Sequence, residues 1–472
     1  MDNFFQYFAS LINEWRFPAG LLLAAIVLWQ MRVVRRGERL FTLAMATYFF
    51  IIIIAYWLLK PIKKAIFIGY YKVNSFSFFG NSLDAAQVEL LAKEANLFIA
   101  IFAVGVFSLL ARIFRRERYA IIISLFYLTC LGYFYLAIKT PSELTVWMFY
   151  LFGDLFVTTM VATFFSFLND SFNPADARRA YGIIGVGGVL GGVIGSSAVA
   201  LQGAGGTEQI IVWVIALVAL LIGLELAAGR LIRSNLPPDL PPSIANNNGI
   251  RTRGNLFSGA LLTMQSPYLR HIAGLVLVYE VASVIMDYQF TSTVSSLVAP
   301  AELKSYFASV YLFTNFVAIV VQVFLTGLML MRFGICAALM VLPIMAFTSS
   351  ALFFAFPVLL WGSLLNTADN AFAYSIQQTA RESLYVVTSR EEKYTAKAFI
   401  DVVVLRFAKG LSIIFALSFS LLLPSQSLRW LSVVVMVLLV LWGVIAYRAA
   451  RQHGMLVARA QKLSDNDAPV EQ

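Results

Sequence analysis

Stretches of roughly twenty mostly apolar residues recur along this chain from near residue 39 to residue 447, and they leave it only a lipid bilayer in which to fold. A hydrocarbon core about 30 Å thick takes roughly 20 helical residues per crossing. By that measure the runs near 39–59, 95–113, 119–138, 144–168, 182–201 and 209–228 read as six spans, and those near 271–296, 305–330, 334–356, 357–376, 398–422 and 428–447 as six more. With 60% of its 472 residues hydrophobic and 13% charged, the chain has no room for large soluble catalytic domains.

Between the two sets lies a polar stretch from Arg233 through Pro237-Pro238, Pro241-Pro242 and Asn246-Asn247-Asn248 to Arg253, whose backbone lipid could not satisfy. The expected organisation is an N-terminal segment 1–36, a six-helix half 37–229, a cytoplasmic linker 230–268, a second half 269–450 and a polar, disordered tail 451–472. Phe17 to Trp29 is too short for a full span and is followed by Gln30, Arg32, Arg35 and Arg36. It reads as an interfacial helix, with a short extra span as the alternative. No basic n-region leads to a small-residue cleavage site, so a cleavable signal peptide is not expected.

Basic loops give the orientation. Arg112, Arg115, Arg116 and Arg118, then Arg178 and Arg179, then Arg230, Arg233, Arg251 and Arg253 fall on one side together with both termini, and that side is expected to be cytoplasmic. The loop after span 1 breaks the pattern. Thirty-five Lys and Arg against 25 Asp and Glu therefore describe membrane topology and do not imply nucleic acid binding. Six plus six spans around a long cytoplasmic linker is the layout of major facilitator transporters, so the expected fold class is an all-α integral membrane protein, major facilitator-like, with twelve transmembrane helices in two halves.

Ionisable side chains inside spans are costly and mark candidate pathways. Five are basic and five acidic. Lys60, Lys63 and Lys64 share a helix face on the outer side, where the positive-inside rule disfavours them; a snorkelling cap is the alternative. Asp154 sits mid-span with no basic residue within two turns, so its partner must come from another helix or from solvent. Glu280 and Asp287 stack two turns apart on span 7. Asp369 shares a polar face of span 10 with Asn366 and Asn370, and Asn315 with Gln322 does the same for span 8; interhelical hydrogen bonding is expected of the amides. In span 11, Lys397 and Asp401 are spaced to pair with each other, whereas Arg406 and Lys409 present two positive charges on one face, as an anionic cargo requires. A solvated inner mouth is the alternative for the last two. Glu280, Asp369 and Asp401 are candidates for coupling or gating.

The glycine run from Gly182 to Gly195 lacks both the Lys-Ser/Thr of a P-loop and the spacing of a dinucleotide fingerprint. Gly188, Gly191, Gly192 and Gly195 instead make a smooth face for helix packing. Two cysteines, Cys130 and Cys336, and two distant histidines, His271 and His453, offer no disulfide framework or metal site. No catalytic constellation is visible, so neither an enzyme nor a cofactor is expected.

Three segments carry a family resemblance. Phe167-Leu168-Asn169-Asp170-Ser171-Phe172-Asn173-Pro174, running through Arg178-Arg179-Ala180-Tyr181 into the glycine helix, resembles the span 4 to 5 region of the ATP/ADP translocase-type nucleotide transporters. The string from Arg381-Glu382-Ser383-Leu384-Tyr385 through Ser389-Arg390-Glu391-Glu392-Lys393-Tyr394 to Asp401 is similar to that family's span 10 to 11 connection, and Tyr56-Trp57-Leu58-Leu59-Lys60-Pro61-Ile62-Lys63-Lys64 to the end of its first span. The resemblance implies a major facilitator-like twelve-helix fold and exchange of ATP for ADP, of other nucleotides, or of nucleotide with phosphate or protons. Carried over by motif, it implies substrate contact at Lys63, Asp154, Asp287 and Arg381. Two departures stand out: Lys64 where the family often has an acid, and Phe290-Thr291 where it often has a basic residue.

The leading expectation is an antiporter for nucleotides or a related phosphorylated anion, working as a monomer in lipid in a bacterial inner membrane, with Lys60, Lys63, Lys64, Arg406 and Lys409 on phosphates and aromatic rings on the base. A proton-coupled facilitator for another metabolite, and a membrane scaffold that transports nothing, are the alternatives.

Overall fold

The computed structural model describes residues 4–12, 14, 39–114, 116–171, 174–202, 206–235, 256–389, 392–422 and 428–466. The segment expected as an interfacial helix, Phe17 to Trp29, and the polar linker residues 236–255 lie outside them. The described chain is almost wholly helical. After a short helix α1 (residues 4–12) come α2 (Arg39–Val73), α3 (Ala85–Ile113), α4 (Arg116–Ala137), α5 (Glu143–Ser171), α6 (Pro174–Gln202) and α7 (Thr207–Asn235). Then follow α8 (Leu256–Gln265), α9 (Pro267–Leu297), α10 (Leu303–Val320), α11 (Gly334–Ala355), α12 (Leu359–Phe372), α13 (Gln378–Leu384), α14 (Lys397–Phe399), α15 (Leu405–Leu422) and α16 (Trp430–Asn466).

Ten helices among the described residues are long and apolar enough to cross a membrane. One of these is the continuous stretch Leu303–Ala355, whose 53 residues would extend about 80 Å as one straight helix, far more than one bilayer. It holds two of the expected spans, and the chain turns inside it at Gly334, whose φ of 78° lies in the left-handed region that glycine reaches without strain. The run expected near 357–376 extends further: α12 continues through a π-helical turn, Ala373–Gln377, into α13. Span 11 also departs from regular α-helix, with π-helical turns at Glu392–Ala396 and Ile400–Val404 on either side of α14. Such turns are common at functional sites.

Two differences from expectation are local. A two-stranded antiparallel hairpin, β1 (Phe76–Phe78) and β2 (Asn81–Leu83), joins α2 to α3. The tail expected from residue 451 instead continues α16 as helix to Asn466.

The chain forms two compact units. The first comprises Met1–Pro241 with Val294–Phe316, the second Pro242–Thr293 with Val317–Gln472. In the first, Tyr48, Ile52, Leu59, Tyr127, Phe156, Phe164 and Val214 belong to a continuous buried core shared by α2, α4, α5 and α7. In the second, Leu269, Ile272, Leu339, Leu342, Ile376 and Trp442 do the same.

The glycine helix packs as its spacing suggests, along a row one residue earlier than the first expected motif. A Cβ on Gly187, Gly191 or Gly195 would come within 2.7, 2.8 and 2.8 Å of the carbonyl oxygens of Ala46, Phe50 and Ile54, so α6 lies backbone to backbone on α2. Gly188 faces the Phe49 ring, and Gly192 faces the Trp57 indole and Asn315. Gly191→Val and Gly195→Val are therefore expected to destabilise the protein by about 1–3 kcal/mol each, read as a lower unfolding midpoint in detergent. Gly185→Ala, which enters open space, is the neutral control; indifference to valine at both seam positions would mean that α6 does not lie on α2.

Candidate functional site

Within the first unit the site is built on α2. Lys60, Lys63 and Lys64 lie well inside this 35-residue helix, followed by nine more helical residues, and Lys63 and Lys64 are each only 5% exposed. The snorkelling alternative is thereby ruled out for these two. Pro61, inside the helix, has no N–H to give to the Trp57 carbonyl a turn earlier.

Each buried ammonium is compensated from a neighbouring helix. Lys63 forms an ion pair with Asp154 of α5, and Asp154 also accepts a hydrogen bond from the Asn96 amide of α3 at 2.9 Å. The Asp154 partner does come from another helix, as the sequence requires. Gly153 makes room for it, since a Cβ there would meet the Lys63 stem at 2.6 Å. Lys64 pairs with Glu89 of α3 at 3.3 Å, and the other Glu89 oxygen pairs with Lys93 at 3.4 Å. In these ion pairs three ammonium groups share two carboxylates. Tyr150 links them: its ring lies 4.6 Å from the Lys63 nitrogen, and its hydroxyl donates to Glu89 at 2.9 Å. Lys60 points among aromatic faces, 4.5 Å from the Trp57 ring, 4.6 Å from Tyr311 and 5.8 Å from Tyr56. The arrangement holds concentrated positive charge in a low-dielectric setting, with rings at hand on which a planar group can stack.

Glu89 is absent from the sequence reading, which starts span 2 near residue 95. The structure starts α3 at Ala85 because Asp84 and Gln87 form a capping box, a two-residue signal that was available. Glu225 of α7 was also missed. It is 5% exposed and accepts hydrogen bonds from Tyr48 at 2.6 Å and Ser124 at 2.8 Å, joining three helices at one carboxyl.

Within the second unit, Glu280 of α9 faces Lys409 of α15 at 3.7 Å. Asp369 of α12, 2% exposed, accepts hydrogen bonds from Ser283 at 2.6 Å and Tyr279 at 3.0 Å, both from α9. Asp287 and Arg406 are half-buried on α9 and α15. Arg381 lies on α13 rather than in a loop, with its Nε buried, and its charge acts on both Glu280 and Asp401.

Two expected pairings differ. Lys397 reaches Glu382 at 2.6 Å instead of Asp401, because the π-helical turn Ile400–Val404 interrupts the i, i+4 spacing on which a local pair depends. Asn370 bonds back to Asn366 within its own helix, at 2.9 Å to the carbonyl and 3.1 Å to the side chain, instead of across helices. Asn315 does bond across, to the Gly192 carbonyl and to Ser196 on α6; Gln322 is exposed.

Comparison with known proteins places this geometry. The sequence profile of the TLC ATP/ADP transporter family matches residues 26–360, well over half of the chain. A relative, ADP,ATP carrier protein 1 of Chlamydia pneumoniae, is 23% identical over 301 residues, which are 56% of this chain and 58% of that protein. Its counterpart in Chlamydia trachomatis serovar D is 24% identical over 56% of each chain. The chain thus matches a little over half the length of these carriers. Among solved structures, a bacterial homologue of the human lysosomal transporter Spinster superposes with a TM-score of 0.55 at 15% identity, covering 89% of this chain and 98% of that one. The nucleoside transporter NupG does so with a TM-score of 0.55 at 12% identity, over 88% and 99%. The major facilitator superfamily transporter FucP gives 0.50 at 16%, over 87% and 98%. The fold is that of the major facilitator transporters, a multi-pass integral membrane architecture.

Glu89 supplies the sharpest test of the cluster, since removing one partner of a buried ion pair leaves its mate uncompensated. Glu89→Ala is expected to cost about 3–5 kcal/mol of stability. Adding Lys64→Met should recover part of the loss, measured by thermal unfolding in detergent; a double variant no more stable than Glu89→Ala would mean that the pair is not what holds α2 to α3.

Proposed function

This chain belongs to the TLC ATP/ADP transporter family, and from that premise we propose that it is a secondary active antiporter exchanging ATP, ADP or related nucleotides by alternating access. The observation that carries the reading is the lysine cluster of α2, with Lys63 and Lys64 buried in the interior of an apolar helix and partnered by carboxylates from two other helices. Its Chlamydia relatives are named ADP,ATP carriers.

In this reading the phosphate oxygens of the substrate compete for Lys60, Lys63 and Lys64, relieving Asp154 and Glu89 of part of their pairing. Trp57 and Tyr56 offer faces for the base. Arg381, Arg406 and Lys409 supply further cations in the second unit, and Asp287 and Glu280 orient them. Exchange needs no hydrolysis, so no catalytic group or cofactor takes part. The protein sits as a monomer in the lipid of a bacterial inner membrane, both termini cytoplasmic, with its spans divided into two six-helix halves.

A second reading rests on Asp369. Buried, and held by the two hydroxyls of Tyr279 and Ser283, it is placed as a proton-binding group would be, with Glu280 and Asp401 as further coupling candidates. This favours a proton-coupled carrier of another anion.

Reconstituted into liposomes, the protein is expected to take up labelled ATP or ADP only when unlabelled nucleotide is inside, and Lys63→Ala is expected to lower that uptake at least about a hundredfold. Uptake driven by a proton gradient and indifferent to nucleotide on either side would overturn nucleotide exchange in favour of the second reading.

A further inference from the structure

The segment Val294–Phe316, the end of α9 with the start of α10, packs within the first unit. Along α10 the residues Leu303, Phe307, Tyr311 and Asn315 recur at every fourth position and therefore share one face. That face lies antiparallel along α2. Leu303 is 3.7 Å from where a Cβ on Gly69 would stand, Phe307 lies 5.4 Å from the Lys64 nitrogen, and Tyr311 lies 4.6 Å from the Lys60 nitrogen. Asn315 donates to the Gly192 carbonyl at 3.2 Å, and Lys72 donates to the Val298 carbonyl at 2.6 Å. Phe307 and Tyr311 are fully or almost fully buried and stack on each other, 6.2 Å between centroids and 20° between planes. Trp57 closes on Tyr311 edge-on at 5.8 Å.

Of the three lysines that hold this segment, Lys60 and Lys64 are among those assigned to phosphate, and Lys72 is not. A ring quadrupole attracts an ammonium weakly compared with a phosphate oxygen, which offers a full negative charge and a directed acceptor. A ring and a phosphate cannot lie on the same face of one ammonium.

We propose that Phe307 and Tyr311 are coupling residues of transport: in the empty carrier they occupy the faces of Lys64 and Lys60 and hold the Val294–Phe316 segment on α2, and the phosphates of a bound nucleotide displace them and release it. This rests on the reading that Lys60 and Lys64 contact the substrate. It ties release of the segment to cargo: only an anion of sufficient charge breaks both contacts, and its departure restores them.

Two measurements test it on the full-length protein in liposomes. In a background of Cys130→Ser and Cys336→Ser, the pair Gly69→Cys and Leu303→Cys is expected to form a disulfide under mild oxidation, and ADP or inorganic pyrophosphate is expected to slow its formation at least about fivefold. Phe307→Leu and Tyr311→Leu are expected to raise efflux of loaded ADP into nucleotide-free medium towards the rate of exchange. Phe307→Tyr and Tyr311→Phe, which keep a ring, should leave the ratio of efflux to exchange at the wild-type value, an outcome that lost packing alone would not give. ADP exchange with a disulfide rate indifferent to both anions, or leucine variants still bound to exchange, overturns the proposal and leaves the nucleotide function standing. Absent ADP exchange with pyrophosphate still slowing the disulfide overturns the nucleotide reading and supports release by another phosphorylated anion. Neither effect overturns both.

Discussion

An ammonium group inside an apolar helix has to be compensated by its neighbours, because the hydrocarbon around it screens nothing and solvates nothing. Helix α2 carries three lysines within five residues under that constraint, and much of the first unit is arranged to meet it. Glu89 reaches Lys64 because the capping box at Asp84 and Gln87 starts α3 early enough to place a carboxylate one turn in. Asp154 reaches Lys63 because Gly153, beside it in sequence, leaves the space that the lysine stem fills. Tyr150, one turn before Asp154, serves both pairs through its ring and its hydroxyl. Nearer its N-terminal end, α2 can lie against α6 at backbone contact because the facing positions, Gly187, Gly191 and Gly195, have no side chains. The helix that carries the lysine cluster is thus also the most buried of the candidate spans among the described residues.

The positions of the helices were legible because apolar runs of bilayer length have one physical interpretation, and the lysines, Asp154, Glu280 and Asp369 were legible because charge within such runs has few. Glu89 was not, since it lies ahead of the apolar run and looks like the solvated start of a helix; only the capping signal shows that the helix already includes it. Glu225 obeys the same rule as Asp154 but stands close in sequence to Arg230 and Arg233, where an acid draws no notice until Tyr48 and Ser124 are seen to converge on it. Arg381 came through resemblance alone. Its place on a helix depends on the π-helical turn that carries α12 into α13, and hydropathy does not encode such a turn. The same limit explains the wrong pairing of Lys397: spacing in sequence predicts a partner only while the helix keeps 3.6 residues per turn.

Buried carboxylates are compensated by two different means, by ammonium groups and by hydroxyls, and each unit holds an example of both: Asp154 and Glu225 in the first, Glu280 and Asp369 in the second. By the first means a carboxylate is matched to an ammonium group, as Asp154 and Glu89 are, and a competing anion can open the pair. By the second, Asp369 and Glu225 each have two hydroxyl donors where Asp154 has an ammonium. A hydroxyl donates to a carboxylate, yet it can also turn to accept from a protonated carboxyl, so such a site tolerates both protonation states in one geometry.

The choice of lysine over arginine on α2 bears on how such a site could cycle. A guanidinium binds a carboxylate or phosphate through a planar fork, with a geometry that favours one partner held in register. An ammonium is a compact charge on a flexible four-carbon stem, with three donors that rotate, and it passes from one acceptor to another with little rearrangement of backbone. Lys63 already engages a carboxylate and an aromatic face together, and Lys64 engages Glu89 and the Phe307 ring. Each lysine therefore has an alternative set of contacts in place before any cargo arrives. A site built this way can hand its positive charge to a substrate and take it back without exposing an uncompensated ammonium to hydrocarbon at any point, which is the condition a carrier must meet in both its loaded and its empty form.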